Sequence, residues 1–102
     1  MAQINNYSWL DLIPTGWIEL ARKMIEECEA IDPNYEITDL KEKWGMLCTY
    51  SNSSNPATTE IEDKYEALSA RICNICGKPA TKVSTSWILP WCDECWVQYD
   101  EY

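Results

Sequence analysis

Four cysteines near the C-terminus carry the clearest chemistry in this chain. They are spaced Cys73-x2-Cys76 and Cys92-x2-Cys95, with fifteen residues between the pairs. That spacing falls within the range of zinc-binding motifs. Two residues between ligands let a tight turn aim both sulfurs at one ion, and four thiolates at about 2.3 Å close a tetrahedron around it. Gly77, directly after Cys76, suits the turned backbone of a zinc knuckle, where a positive φ is often needed. We therefore expect one Zn2+ held by Cys73, Cys76, Cys92 and Cys95. The chain has no histidine, and four cysteines fill the shell. Catalytic zinc keeps one position open for water, so the expected role is structural. A redox dithiol pair would want a thioredoxin-like βαβ context, which is missing. Four-sulfur iron uses the same ligands and stays open on spacing alone.

The other two cysteines, Cys28 and Cys48, fall on an apolar helical stripe and in a strand pattern, and read as small buried hydrophobes. Nothing points to an enzyme. Without histidine the usual general base is absent. There is no nucleophile elbow and no phosphate-binding glycine loop, and glycine totals three.

The elements that must position these residues follow from periodicity. Residues 1–13 place Tyr7, Trp9, Leu10, Leu12 and Ile13 among polar neighbours, as a lead-in packed on the core. Thr15 is the expected N-cap of a helix whose apolar stripe is Trp17, Ile18, Ala21, Met24, Ile25, Cys28 and Ile31. Asp32-Pro33 stops it. Tyr35 and Ile37, then Trp44, Met46, Cys48 and Tyr50, alternate as two short strands, with 39–43 as a turn or an exposed continuation. A second helix starts either at Asn55-Pro56 or at a capping box of Thr59 with Glu62. Its stripe is Ile61, Tyr65, Leu68 and Ile72, and it delivers the chain into Cys73. Between the cysteine pairs, Thr81, Val83, Thr85, Trp87 and Leu89 alternate as a ribbon that Pro90 ends. Residues 93–99 form a short helix carrying the last ligands. The expectation is a small α+β single domain over residues 1–102, with a helix and strand core at 1–72. A treble-clef-like four-cysteine zinc module at 73–102 packs on that core.

The bulk composition narrows the partners. A hydrophobic content of 46% argues for a folded chain. The net charge of −9 argues against direct contact with a phosphate backbone and for steering towards a basic protein. Six Trp and six Tyr, with no Phe, exceed what a core this size needs and leave anchors for a partner surface. No stretch approaches a membrane span, and the N-terminus lacks a basic region followed by an apolar run. The expectation is a cytoplasmic protein, monomeric or weakly dimeric, with reduced cysteines.

Two segments carry a resemblance. KEKWGMLCTY at 41–50 is similar to a K-E-K-aromatic-G-x-L-x-x-Y run in small phage and prophage proteins that end in CxxCG…CxxC. The knuckle CNICGKPA, from Cys73, matches as well. Met46 and Cys48 depart from that pattern. The chain also resembles small, acidic, zinc-containing phage inhibitors of type II CRISPR RNA-guided nucleases. The resemblance implies an anti-CRISPR protein in the host bacterial cell that binds such a nuclease and hinders DNA binding or cleavage. The alternative is a zinc-ribbon accessory protein acting on nucleic acid or transcription. Candidate contact residues, chosen by type and expected exposure, are Glu26, Glu27 and Glu29 on the first helix. A second set lies at the zinc end: Trp91, Asp93, Glu94, Trp96, Asp100 and Glu101, with Tyr102.

Overall fold

A computed structural model describes residues 5–53, 55–85 and 87–100, with backbone only at 99 and 100. The lead-in forms a 3-10 helix at Asn6–Leu12. A second 3-10 turn at Thr15–Trp17 runs straight into helix α1, Ile18–Ile31. Thr15 therefore does not cap the helix. Its hydroxyl donates instead to the Ile75 carbonyl at 2.9 Å. Trp17, Ala21, Met24, Ile25 and Cys28 form the buried face of this segment, while Ile18 is half-buried and Ile31 is exposed. Asp32 leaves the helix in an extended conformation, as the following proline requires.

Strands β1 (Ile37–Lys43) and β2 (Met46–Ser51) pair antiparallel. Residues 39–43, open between turn and strand in the sequence, are strand. The turn is Trp44-Gly45, with φ of 56° and 81°. Two consecutive positive φ values define the primed hairpin turn, whose twist matches that of the flanking strands. Trp44 thus leaves the strand to which its alternation assigned it. Leu40 and Leu47 face the core, and Cys48 is half-buried with its thiol directed to Glu66 at 3.3 Å.

Helix α2 spans Pro56–Ser69. Asn55 caps it by accepting from the Ala57 N–H at 2.9 Å, with Pro56 in the first turn. Glu62, the other capping candidate, accepts from the Tyr35 hydroxyl at 2.8 Å. The buried face of α2 is Thr58, Tyr65 and Ser69, and Leu68 is exposed. The helix is rotated from its apolar stripe because polar side chains close the packing. The Ser69 hydroxyl accepts from the Leu47 N–H at 2.7 Å, and Thr58 donates to the Asn55 carbonyl at 2.8 Å. Satisfied in this way, buried hydroxyls carry little penalty.

Helices α1 and α2 pack on each other, α2 also covers β2, and the lead-in closes α1 and β1. Asn6 makes that closure. It accepts from the Ile37 N–H and donates to the Tyr35 carbonyl and to Glu29. Among the described residues, no helix is long and apolar enough to cross a membrane.

Candidate metal centre

The knuckle begins where the chain leaves α2. The Cys73 N–H donates to the Lys78 carbonyl at 2.8 Å, and Gly77, with φ 82°, donates back to the Cys73 carbonyl at 3.1 Å. A short ribbon follows, pairing β3 (Lys82–Val83) with β4 (Pro90–Trp91). Pro90 was expected to end a strand and instead lies within β4. Its carbonyl accepts from both the N–H and the side-chain amide of Asn74, which docks the ribbon on the knuckle. The ribbon pairs at fewer positions than the alternation implied. Beyond the paired residues Ser84 organises the loop: its buried hydroxyl accepts from the Trp91 indole and the Leu89 N–H and donates to the Trp87 carbonyl. Helix α3, Asp93–Asp100, starts just after Cys92 and carries Cys95 in its first turn. Knuckle, ribbon and helix follow one another in the expected treble-clef-like order.

This path brings the four sulfurs of Cys73, Cys76, Cys92 and Cys95 within 4.8 Å of one another. A tetrahedron with metal–sulfur bonds of about 2.3 Å has edges of about 3.8 Å, so the set fits one metal ion. The sulfurs of Cys76 and Cys92 are 3.4 Å apart, close to such an edge. Cys73 and Cys92 are buried, Cys95 is half-buried and Cys76 faces solvent.

The electrostatics suit a cation. Burial raises the Cys73 thiol, but donation from the N–H groups of Cys76, Ile75 and Cys92 outweighs it and brings the thiol down to about 7. At Cys76 the Lys78 N–H pulls down, while burial and the sulfurs of Cys92 and Cys73 prevail and raise it. Burial and the three other sulfurs push Cys95 up. Four thiolates crowd one another, and a divalent cation relieves that repulsion and takes the place of the protons.

The finger is locked to the start of α1. The Gly16 N–H donates to the Asn74 carbonyl at 2.8 Å, and the Trp17 indole donates to the Ile72 carbonyl at 3.0 Å. Gly16 and Gly77 face each other so closely that a Cβ on Gly77 would sit 3.1 Å from the Gly16 carbonyl oxygen.

The proposed contact residues divide. Glu26 is exposed. Glu27 is engaged by Lys64 and by the Tyr65 hydroxyl, and Glu29 by Asn6, so these three do not form one unpartnered acidic face. The Tyr65 and Lys64 bonds hold the Glu27 carboxyl below its ordinary range. Asp93 and Glu94 are exposed in the first turn of α3, where a helix N-terminus favours carboxylates. They lie near Lys82 and Lys78, at 4.0 and 3.5 Å. Trp91 is buried and bonded to Ser84, which removes it as a surface anchor. Trp96 is half-buried. The Asp100 side chain, Glu101 and Tyr102 lie outside the described residues. The exposed tryptophans among the described residues are instead Trp44 and Trp87, both of which the sequence assigned to strands.

Comparison of the chain with protein-family models, with curated proteins and with solved structures finds no match.

Proposed function

We propose that the chain is a zinc-stabilised inhibitor that works by binding a basic protein. The observation that carries the structural half is the closed all-sulfur centre at the junction of finger and core. An all-thiolate, tetrahedral donor set suits zinc, with four-sulfur iron as the competing ion. A filled shell gives that zinc a structural role. The ion's work is to hold the finger, and through Gly16 and Trp17 the start of α1, in one rigid shape.

The partner is a nuclease of a type II CRISPR system, which makes the chain a phage anti-CRISPR protein. Two things support this choice: the KEKWG and CNICGKPA resemblance and the net charge of −9. RNA-guided nucleases hold nucleic acid in positively charged channels, and an acidic, rigid, aromatic-bearing body is complementary to such a surface. Among the described residues, five of the eight basic side chains pair with the chain's own carboxylates, which weighs against a phosphate-binding face.

The experiment is a pull-down of the metal-loaded protein against a type II nuclease, with and without guide RNA and target DNA, read alongside DNA cleavage. Binding with loss of cleavage is expected. Full cleavage without binding would eliminate the inhibitor reading and leave a structural zinc protein. Elemental analysis of protein purified without added metal identifies the ion, and iron in place of zinc would overturn that assignment.

A further inference from the structure

The tip of the β1–β2 hairpin meets the loop between β3 and β4. Gly45 lies flat on Ile88, where an added Cβ would come within 3.1 Å of both its side chain and its carbonyl. Glu42 joins the two tips. One carboxylate oxygen accepts from the Trp87 indole N–H at 3.1 Å, and the other accepts from the Gly45 N–H at 2.9 Å. Between the tips is a cleft of about 410 Å³ lined by Glu42, Lys43, Trp44, Thr85, Trp87 and Ile88.

Both indoles of this cleft face solvent, Trp44 at 70% exposure and Trp87 at 67%. Trp44 also holds a left-handed backbone, φ 56°, at a turn position that glycine or asparagine occupies more easily. A bulky residue in that conformation strains the turn and destabilises the fold. With most of its surface in water, Trp44 gains little packing in return. A strained, exposed aromatic beside a second one points to a ligand.

We propose that this cleft takes an arginine side chain presented by a basic protein partner. The inference rests on the reading of the chain as a binder of basic protein and names the contact through which it binds. Indole faces attract a cation. A guanidinium is planar, weakly hydrated and suited both to stacking and to a forked bond with a carboxylate, which favours arginine over lysine. Each Glu42 oxygen has one N–H and retains acceptor capacity. Bonds from both hairpins fix its orientation before the ligand arrives, which lowers the cost of ordering on binding. Lys43, exposed and also lining the cleft, opposes a cation, so its removal should tighten binding. A nucleobase could stack on the same indoles, but the acidic chain repels its phosphates.

The test is a titration of the metal-loaded protein with a short arginine-containing peptide and its citrulline counterpart, followed by the indole N–H resonances of Trp44 and Trp87. The arginine peptide should bind saturably and the citrulline peptide roughly tenfold more weakly. Trp87→Ala and Glu42→Gln should each weaken arginine binding by a similar factor, and Lys43→Ala should strengthen it. Trp44→Asn separates binding from folding. Asparagine suits the turn, so the variant should match or exceed the parent in thermal stability and still lose the peptide. Equal affinity for the two peptides, binding of neither, or unchanged binding by Trp44→Asn and Trp87→Ala would overturn the proposal. So would a short dT oligomer taking the cleft in preference to the peptide. If the peptide binds while the nuclease is ignored, the nuclease is the wrong partner and the cleft stands. If Trp44→Asn holds the nuclease as tightly as the parent chain does, the cleft is not the contact and the inhibitor reading stands.

Discussion

The indole N–H of Trp17 donates to the carbonyl of Ile72 at 3.0 Å, across the boundary between the main core and the cysteine finger. Trp17 has no exposed surface. Ile72 directly precedes the first sulfur ligand. The bonds from Gly16 to Asn74 and from Thr15 to Ile75 run alongside it. Order in the finger is thereby transmitted to the 3-10 turn that leads into α1.

Metal removal should therefore be felt beyond the finger. Metal binding in zinc-finger peptides is worth about 10–16 kcal/mol apparent at neutral pH, against about 5–15 kcal/mol for a whole domain. Chelation at neutral pH should lower the melting temperature sharply and shift tryptophan emission to longer wavelength, with both restored by zinc. Unchanged emission after complete chelation would show that the core stands without the finger.

Gly16 is the tightest point of that junction. A Cβ there would overlap the Cys73 carbonyl oxygen outright and lie 2.7 Å from the Asn74 carbonyl carbon. The three nearest atoms are all backbone, so relief requires moving the knuckle. Gly16→Ala should destabilise the chain by about 2–4 kcal/mol and weaken metal retention in a chelator competition. Gly77→Ala adds a left-handed backbone penalty to a milder 3.1 Å contact and should do the same to a lesser degree, about 1–2 kcal/mol. Wild-type stability in Gly16→Ala would contradict this packing.

Asn6 fastens the lead-in to both α1 and β1 and is 1% exposed. Truncation leaves the Ile37 N–H and the Tyr35 carbonyl buried without their partner. Asn6→Ala should cost about 2–3 kcal/mol in denaturant unfolding. Asn5→Ala, at an exposed neighbour whose side chain caps nothing, should stay within about 0.5 kcal/mol. Equal effects of the two would remove the special role of Asn6.

Alkaline pH should loosen the core. Burial pushes the Cys28 thiol from 9.0 up to about 11, with Tyr35 opposing in part. Burial and the Glu27 bond push Tyr65 up to about 12, and burial and Glu62 raise Tyr35 as well. A raised folded-state value means that the fold favours the neutral form. Its contribution is complete below the unfolded value and disappears as pH climbs through the folded one. For Cys28 that window runs from pH 9 to about 11. Cys28→Ala should be less stable at neutral pH by roughly 1 kcal/mol and should show a flatter fall in melting temperature across the window. Parallel curves for the two proteins would assign the alkaline limb to the tyrosines alone.

The sequence legibly specified whatever depends on local chemistry. Ligand identity and spacing are local, so Cys73, Cys76, Cys92 and Cys95 stood out as one set. The apolar repeat of α1, the Asp32-Pro33 stop and the Asn55-Pro56 start are also local, because each is decided within a turn or two of backbone. The α+β class follows from those elements.

What only the tertiary structure decided depends on long-range partners. Thr15 reads as a cap until Ile75, sixty residues away, claims its hydroxyl. Leu68 fits the stripe of α2, yet Ser69 is the residue buried, because the Leu47 N–H needs an acceptor. Trp91 looks like an anchor and is core, while Trp44 and Trp87, which look like strand residues, stand in solvent around Glu42. Spacing along a chain shows which side chains share a face of an element. Which face is buried depends on hydrogen-bond partners and packing supplied by other elements, and those exist only once the chain has folded.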